Sequence, residues 1–418
     1  MCLPWLAQAQ NLLEVYAQAR AADPVLALAD AQRGVQRELA VQARAGLLPQ
    51  WSLQASDSTT NNSSGLHSGE VTSKISQVLL DLGQFKRVQV ANTLATAQDA
   101  SLRAAEQALC ARVATAYFGV LSAQAAVSTA QANEDAFAQQ VDQAQKRYDA
   151  GLSAMLDVEQ ARTYHALARG TTAQAREVLQ DTRAALAQIT GSVPGTLHPL
   201  AAQLQASLPV PQDASAWVAQ ALQNHATLHA QQLQVEATEQ GIGAARADHL
   251  PTLGLGLDSQ RLSGSYPAGT DTGRVNTTLA LRLNLPLFAG GSTQSKTRQA
   301  IHQRDAAAQT LESAKRGVVR ETQAQYQAVV TGAALMDSSG AAVAAANRAL
   351  AATRTGQTLG TRGMTDLLLA IQTQAAAQNA LAQARHRYVL ATLLLQQATG
   401  ALDEAALARV NQLLQGNP

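Results

Sequence analysis

The chain has 418 residues, a formal net charge of +1 and only 15% charged residues, a balance that excludes strong attraction to nucleic acid and an acidic solvated tail. Its hydrophobic fraction is 46%, yet aromatics make up 3% and mean hydropathy is −0.09, because alanine supplies much of the apolar count. Two cysteines, Cys2 and Cys110, cannot build a disulfide framework, and no Cys/His spacing suggests zinc.

The opening "MCLPWLAQAQ" carries the small-x-small pattern of a secretory cleavage site at Ala7-Gln8-Ala9 without a basic segment before it, so residues 1–10 read as a signal-peptide remnant. No lipoprotein-type run precedes Cys2. From 11 to 46 apolar residues recur at three- and four-residue spacing, which predicts a helix ending just before a Leu-Pro. The period then changes to two in a strand hairpin over 47–81, whose middle, "DSTTNNSSGLHSGE" (57–70), reads as an exposed loop. A long helical hairpin follows over 84–190, turning at Gly151. The proline- and glycine-rich segment 192–213 reads as a connector.

The same order then repeats over 214–400, with a helix over 214–248, a strand hairpin over 250–288 with its loop at 263–274, and a helical hairpin over 292–399 turning at Gly360. A short amphipathic tail, 401–418, closes the chain. Tyr117 and Tyr326, Gly151 and Gly360, Asp157 and Asp366, and Gly191 and Gly400 all stand 209 positions apart, so the halves are copies of one plan. Nearer the start of each half the offset becomes 202, where "AGLLPQWSLQAS" resembles "ADHLPTLGLGLD".

No stretch of about 18 consecutive apolar residues occurs, so a membrane role falls to the strands. Strands of about 10 to 13 residues reach roughly 33–43 Å, enough to cross a bilayer when tilted. The long helical tracts, about 100 Å at 1.5 Å per residue, call for a tube or a coiled coil. Small residues spread around their surface suit a wall one helix thick, packed through narrow seams. Two strand hairpins cannot close a barrel alone, and an exposed hairpin leaves its edges unpaired, so three chains supplying twelve strands fit better than a soluble elongated coiled-coil scaffold.

Candidate chemistry is sparse. His225 and His229 have the i, i+4 spacing that puts both on one helix face, but without an acidic or cysteine partner the pair reads as a polar face and not as a metal site. "GIGAAR" (241–246) is no phosphate cradle, and no Walker loop, HExxH or nucleophile elbow occurs, so neither an enzyme nor a cofactor is expected. Gly151 and Gly360 read as helix caps, and Asp157 and Asp366 as acidic groups favoured at helix N-termini.

Segments across the whole chain carry a resemblance: "NLLEVYAQARAADP" (11–24), "LLPQWSL", "HLPTLGL", "ATAYFGVL" (114–121), "RYDAGLSAMLDVEQAR" (147–162), "ALAQITG" (185–191), "LNLPLFAGG" (283–291) and "LGTRGMTDLLLA" (359–370). They resemble the TolC-type outer-membrane channel family used in drug efflux and type I secretion. The resemblance implies a mainly α protomer with a membrane β-barrel portion, forming a homotrimer with a twelve-stranded barrel in outer-membrane lipid and an α-helical barrel in the periplasm of a Gram-negative bacterium. An equatorial belt comes from 192–213 and 401–418. It further implies a passive conduit joined through a periplasmic adaptor, a membrane fusion protein, to an inner-membrane ABC, RND or MFS transporter.

Matched residue by residue, Asp157 and Arg362 correspond to an ionic latch between helical hairpins at the closed periplasmic tip. Asp366 corresponds to an acidic constriction ring that attracts cations. Two departures stand out. Gln357 replaces a tyrosine of the latch, and Leu369 replaces a second ring aspartate, so a weaker cation block and a looser closed state are expected.

Overall fold

The computed structural model describes residues 9–60, 66–201, 204–264, 266 and 270–414. Ala7 and Gln8 of the expected signal remnant lie outside them, as do 61–65, 265 and 267–269 of the two expected loops. Gln10 belongs to the folded chain: its N–H donates to the Thr196 carbonyl (2.7 Å) and it bridges to Leu197.

In order, the elements are α1 (Leu12–Ala22), α2 (Pro24–Ala45), β1 (Gln50–Thr60), β2 (Leu66–Leu80), α3 (Leu82–Asp149), α4 (Met155–Thr190), α5 (Ala214–Asn224), α6 (Ala226–Ala247), β3 (Thr252–Gly264), β4 (Val275–Asn284), α7 (Ser292–Thr358), α8 (Met364–Ala398) and α9 (Glu404–Asn411). The single helices expected over 11–46 and 214–248 are each two helices, broken at Asp23 and at His225. Both breaking residues leave the helical region for extended backbone, at φ −70°, ψ 118° and φ −68°, ψ 116°. The first break follows from Pro24, which cannot donate to a continuing helix but fits the first turn of a new one. His225 and His229 therefore do not share a helix face.

The strands are also longer than expected. β1 and β2 continue through 57–60 and 66–70, where Asp57 pairs with Gly69 and Ser58 with Ser68. The residues there are mostly ones that favour turns, and cross-strand pairing overrides that preference. In the other direction, β4 stops at Asn284, short of the expected 288, in front of Pro286.

The chain divides into two units. One comprises Ala29–Leu102 and Ala226–Ala314 and contains the sheet, in strand order β1-β2-β3-β4, all antiparallel. Residues directly opposite one another share a face, and the register gathers most of the bulky apolar side chains on one of them, with Gln77, Ser73 and Arg261 among them. Trp51, Ile75, Leu257 and Leu279 form one row, with Leu255 and Leu281, then Leu253 and Leu283, beside it. The other face carries Ser52, Lys74, Asp258 and Thr278 in a row, flanked by Gln50, Ser76, Gly256 and Ala280. Trp51, Leu53, Leu279, Leu281 and Leu283 are exposed. Below the sheet, Asp81 accepts from the Gln84 N–H (2.8 Å) to start α3. Arg87 joins Asp81 (3.3 Å) to Asp248 (3.6 Å), and Lys296 reaches the same Asp248 (3.6 Å), pinning the starts of α3 and α7 to the end of α6.

The other unit comprises Met1–Leu28, Arg103–His225 and Lys315–Pro418. Its main core gathers Leu12, Tyr117, Phe118, Leu186, Leu393 and Leu407, drawn from five helices. The connector is fastened by hydroxyls: Tyr117 donates to the His198 carbonyl (3.0 Å) and Tyr388 to the Ser207 carbonyl (2.7 Å). A bridge between Leu200 and Leu414 ties the connector to the C-terminal segment. Burial pushes the Cys110 thiol up, so it packs as a small neutral group and not as a nucleophile. α3 and α7, of 68 and 67 residues, contain alanine-rich 18-residue windows apolar enough to cross a bilayer. Alanine raises hydropathy without bulk, and the same composition serves a helix wedged between neighbours.

Candidate functional site

The residues singled out from sequence lie at the two helix-to-helix turns, α3 to α4 and α7 to α8. Both turns belong to the same unit. Each is built the same way. Gly151 and Gly360 take left-handed backbone, φ 71° and 76°, which a side chain would strain. In the first turn the Gly151 N–H donates to the Tyr148 carbonyl and the Leu152 N–H to the Arg147 carbonyl, both at 2.8 Å. In the second, Gly360 donates to Gln357 (3.1 Å) and Thr361 to Gly356 (2.8 Å). These paired bonds satisfy the last carbonyls of each long helix and end it cleanly.

The returning helices begin differently. Asp157 sits in the first turn of α4, half-buried, and pairs with no cation among the described residues. Asp366 sits in the first turn of α8 and accepts from the Gly363 N–H (3.4 Å), where the helix dipole favours a carboxylate. Arg362 lies on Asp366, Nη1 to Oδ2 at 3.8 Å, with both side chains at least half exposed. Within one protomer, then, Arg362 and Asp366 are together and Asp157 stands apart from both. An exposed pair of this kind is worth about 0.2–1 kcal/mol, so it is readily exchanged for another. Gln357 donates to the Met364 sulfur (3.7 Å), a weak contact beside the turn. Leu369 points outward, 55% exposed, one turn beyond Asp366.

Beneath the turns the two hairpins are joined by a second apolar cluster that includes Phe137, Val158, Leu350, Leu367, Leu368 and Ile371. Phe137 packs on Tyr164 with ring centroids 5.5 Å apart. A polar link crosses at the mouth of this cluster, where the Thr365 hydroxyl donates to Gln160 Oε1 (2.8 Å). The core holds the hairpins together while the charged groups sit on its rim.

Sequence reasoning missed Gly356, whose carbonyl accepts from Thr361 N–H, Arg362 N–H (3.2 Å) and the Thr361 hydroxyl (3.0 Å). The signal was available in the repeat: 209 positions earlier stands Arg147, so the two turns differ at that site by a whole side chain. Thr365 and Gln160 carried no such signal, because their bond depends on how the hairpins pack. Among the described residues no cluster of three or more metal-binding side chains occurs.

The sequence profile of the family described as outer membrane efflux protein matches residues 15–192 and 217–401, one match in each half of the chain. Outer membrane protein TolC of Escherichia coli (strain K12) is 30% identical, over 98% of this chain and 86% of the relative. Alkaline protease secretion protein AprF of Pseudomonas aeruginosa is 28% identical, over 96% of this chain and 87% of the relative. The fold is similar to that of the outer membrane protein VceC from Vibrio cholerae, with a TM-score of 0.80, 21% identity and coverage of 93% of this chain and 96% of that one.

Proposed function

Because the chain belongs to the outer membrane efflux protein family, we propose that three copies assemble into one conduit across the outer membrane and periplasm, for small-molecule efflux or protein export. The observation that carries this reading is the sheet: one face carries a band of leucine, isoleucine and tryptophan, the other is mainly polar, and both edges, β1 and β4, are open. Hydrocarbon tolerates such a face but no open edge, so a sheet of this kind spans a bilayer only when closed. Three copies of four strands give an even-numbered, closable twelve.

The protein is an outer-membrane channel subunit. It acts without catalysis, and the energy for transport comes from an inner-membrane ABC, RND or MFS transporter coupled through a periplasmic adaptor. The soluble scaffold is disfavoured by the full-length family match in both halves. Export of protein is supported by the relative named for alkaline protease secretion, and efflux by the description of the family.

The two turns are the gate of the conduit. Arg362 of one hairpin pairs with Asp157 of a neighbouring hairpin to hold the tip closed, with Gln357 beside it. Asp366 forms a threefold acidic ring, and Leu369 lines the next level toward the body. The half-buried Asp157, without a cation among the described residues of its own protomer, supports this reading, since a carboxylate so placed is open to a partner from elsewhere. Single-channel recording tests it: Arg362→Ser raises resting conductance severalfold, and Asp366→Ala abolishes block by Mg2+. Unaltered currents in both variants would remove the gate assignment, and failure of the purified protein to form channels at all would remove the conduit.

A further inference from the structure

The two turns share their backbone hydrogen bonds but differ in where they keep an arginine. In the first, Arg147 stands on the last turn of the long helix and Ser153 follows the turn glycine. In the second, the counterpart of Arg147 is Gly356 and the counterpart of Ser153 is Arg362. The arginine has moved across the turn, and the place it vacated carries no side chain.

That empty place is occupied by the stem of Arg362. A Cβ built on Gly356 would lie 2.7 Å from Arg362 Cγ and 3.4 Å from its Cβ, well inside contact distance. Gly356 is in regular helix, so neither a turn nor a positive φ accounts for glycine there. Its carbonyl fixes the same neighbour from below, through the Arg362 N–H and the Thr361 N–H and hydroxyl. Alanine would serve the helix better, and its absence leaves a slot filled chiefly by the arginine stem, with the Thr361 hydroxyl beside it, 3.2 Å from the same built Cβ.

We infer that Gly356 is a positioning residue for the gate: it seats Arg362 against the end of α7, which aims the guanidinium at Asp366 of the same protomer and so weakens, without abolishing, its pairing with Asp157 of the neighbouring hairpin. The inference rests on the gate reading above. The position of Cγ is set by χ1, so a side chain at 356 forces Arg362 into another rotamer and swings its guanidinium away from Asp366. Two consequences follow together. Asp366 loses its internal partner and presents a fuller negative charge to cations at the ring, and Arg362 spends more of its time on Asp157. The seat thereby makes the closed state looser than an unseated arginine would.

The test compares the unaltered chain, Gly356→Ala, Arg362→Ser and the double variant in planar bilayers, reading resting conductance and half-blocking Mg2+ concentration. In Gly356→Ala both fall by about two- to fivefold, the scale on which one exposed ion pair shifts an equilibrium. In the Arg362→Ser background the same alanine changes neither, because nothing is left to unseat. A merely structural role for Gly356 would shift both backgrounds alike, and that result, or a silent Gly356→Ala, overturns the inference. A cryo-EM map of Gly356→Ala decides the seat without any current: the guanidinium leaves Asp366, and retention of the pair refutes the proposal. Absence of currents from the unaltered chain counts against the conduit, and the map still decides the seat.

Discussion

Asp23 and His225 occupy the same bend in the two halves of the chain, 202 positions apart, with backbone angles that agree within 2°. Each N–H closes the preceding helix, on Ala19 (2.8 Å) and on Ala221 (3.0 Å). In each half the glycine ending the returning helix packs into the bend: Gly191 against the Ala22 methyl, Gly400 against the Asn224 carbonyl. The side chains have diverged completely. Asp23 is buried and held by Arg112 (2.6 Å) and the Leu26 N–H (2.9 Å). His225 is half-buried, and its Nδ1 has no hydrogen-bond partner among the described residues. The counterpart of Arg112 is Glu321, exposed and engaged with Gln325 (2.7 Å). Glycine packing and the helix end are what the two bends share, and Pro24 and the ion pair are additions made in one copy.

Three experiments bear on that difference. Arg112→Met should do the most damage, about 3 kcal/mol in denaturant unfolding, because it leaves the Asp23 carboxylate buried without its cation. A loss below about 1 kcal/mol would show that the first bend, like the second, stands without its side chain. Next, Gly400→Ala should cost about 2 kcal/mol and Gly191→Ala about 1, since both lose a left-handed glycine but an added Cβ would lie 2.5 Å from a carbonyl at Gly400 and 3.2 Å from a methyl at Gly191. Equal costs would mean that the close approach is not what holds the second bend.

The smallest effect is in pH. Burial lowers the His225 pKa, so the unfolded chain takes up a proton on acidification that the folded chain refuses. Stability falls as pH drops below about 6.5, and His225→Gln should remove that share. His386, lowered to about 4 by burial and then by Arg385, keeps its own share in the variant. At Asp23 burial opposes ionisation, but Arg112 and the Val25 and Leu26 N–H groups outweigh it and hold the pKa below the usual range. Its contribution is present above about pH 4 and is lost only below. Melting temperature against pH should thus separate the bends, the second weakening first; parallel curves for the parent and His225→Gln would deny His225 any part.

Much of this was legible in the sequence because the repeat is long and its landmarks are rigid. Glycines at turns and alternating leucines in strands are read directly, since each residue type answers to a local demand. The bend at Asp23 was readable from Pro24, but the bend at His225 has no proline and shows only through its counterpart 202 positions earlier. The strand ends at 57–60 and 66–70 were hidden because their residues suit turns and the pairing that overrides this preference is nonlocal. At the second turn, the i, i+4 spacing of Arg362 and Asp366 was in plain sight, whereas the fit of the Arg362 stem against Gly356 lies in a space between residues that no single position encodes.

The open edges of β1 and β4 have a kinetic consequence. A lone chain that entered the bilayer would carry two rows of unmet backbone groups, at several kcal/mol apiece in hydrocarbon, so a one-chain membrane intermediate is inaccessible. In the assembly proposed above, insertion is therefore coupled to finding partner copies, and it speeds up as their local concentration rises. Until that step the same edges invite pairing with any strand they meet, which makes the interval between synthesis and insertion the most hazardous part of this protein's life.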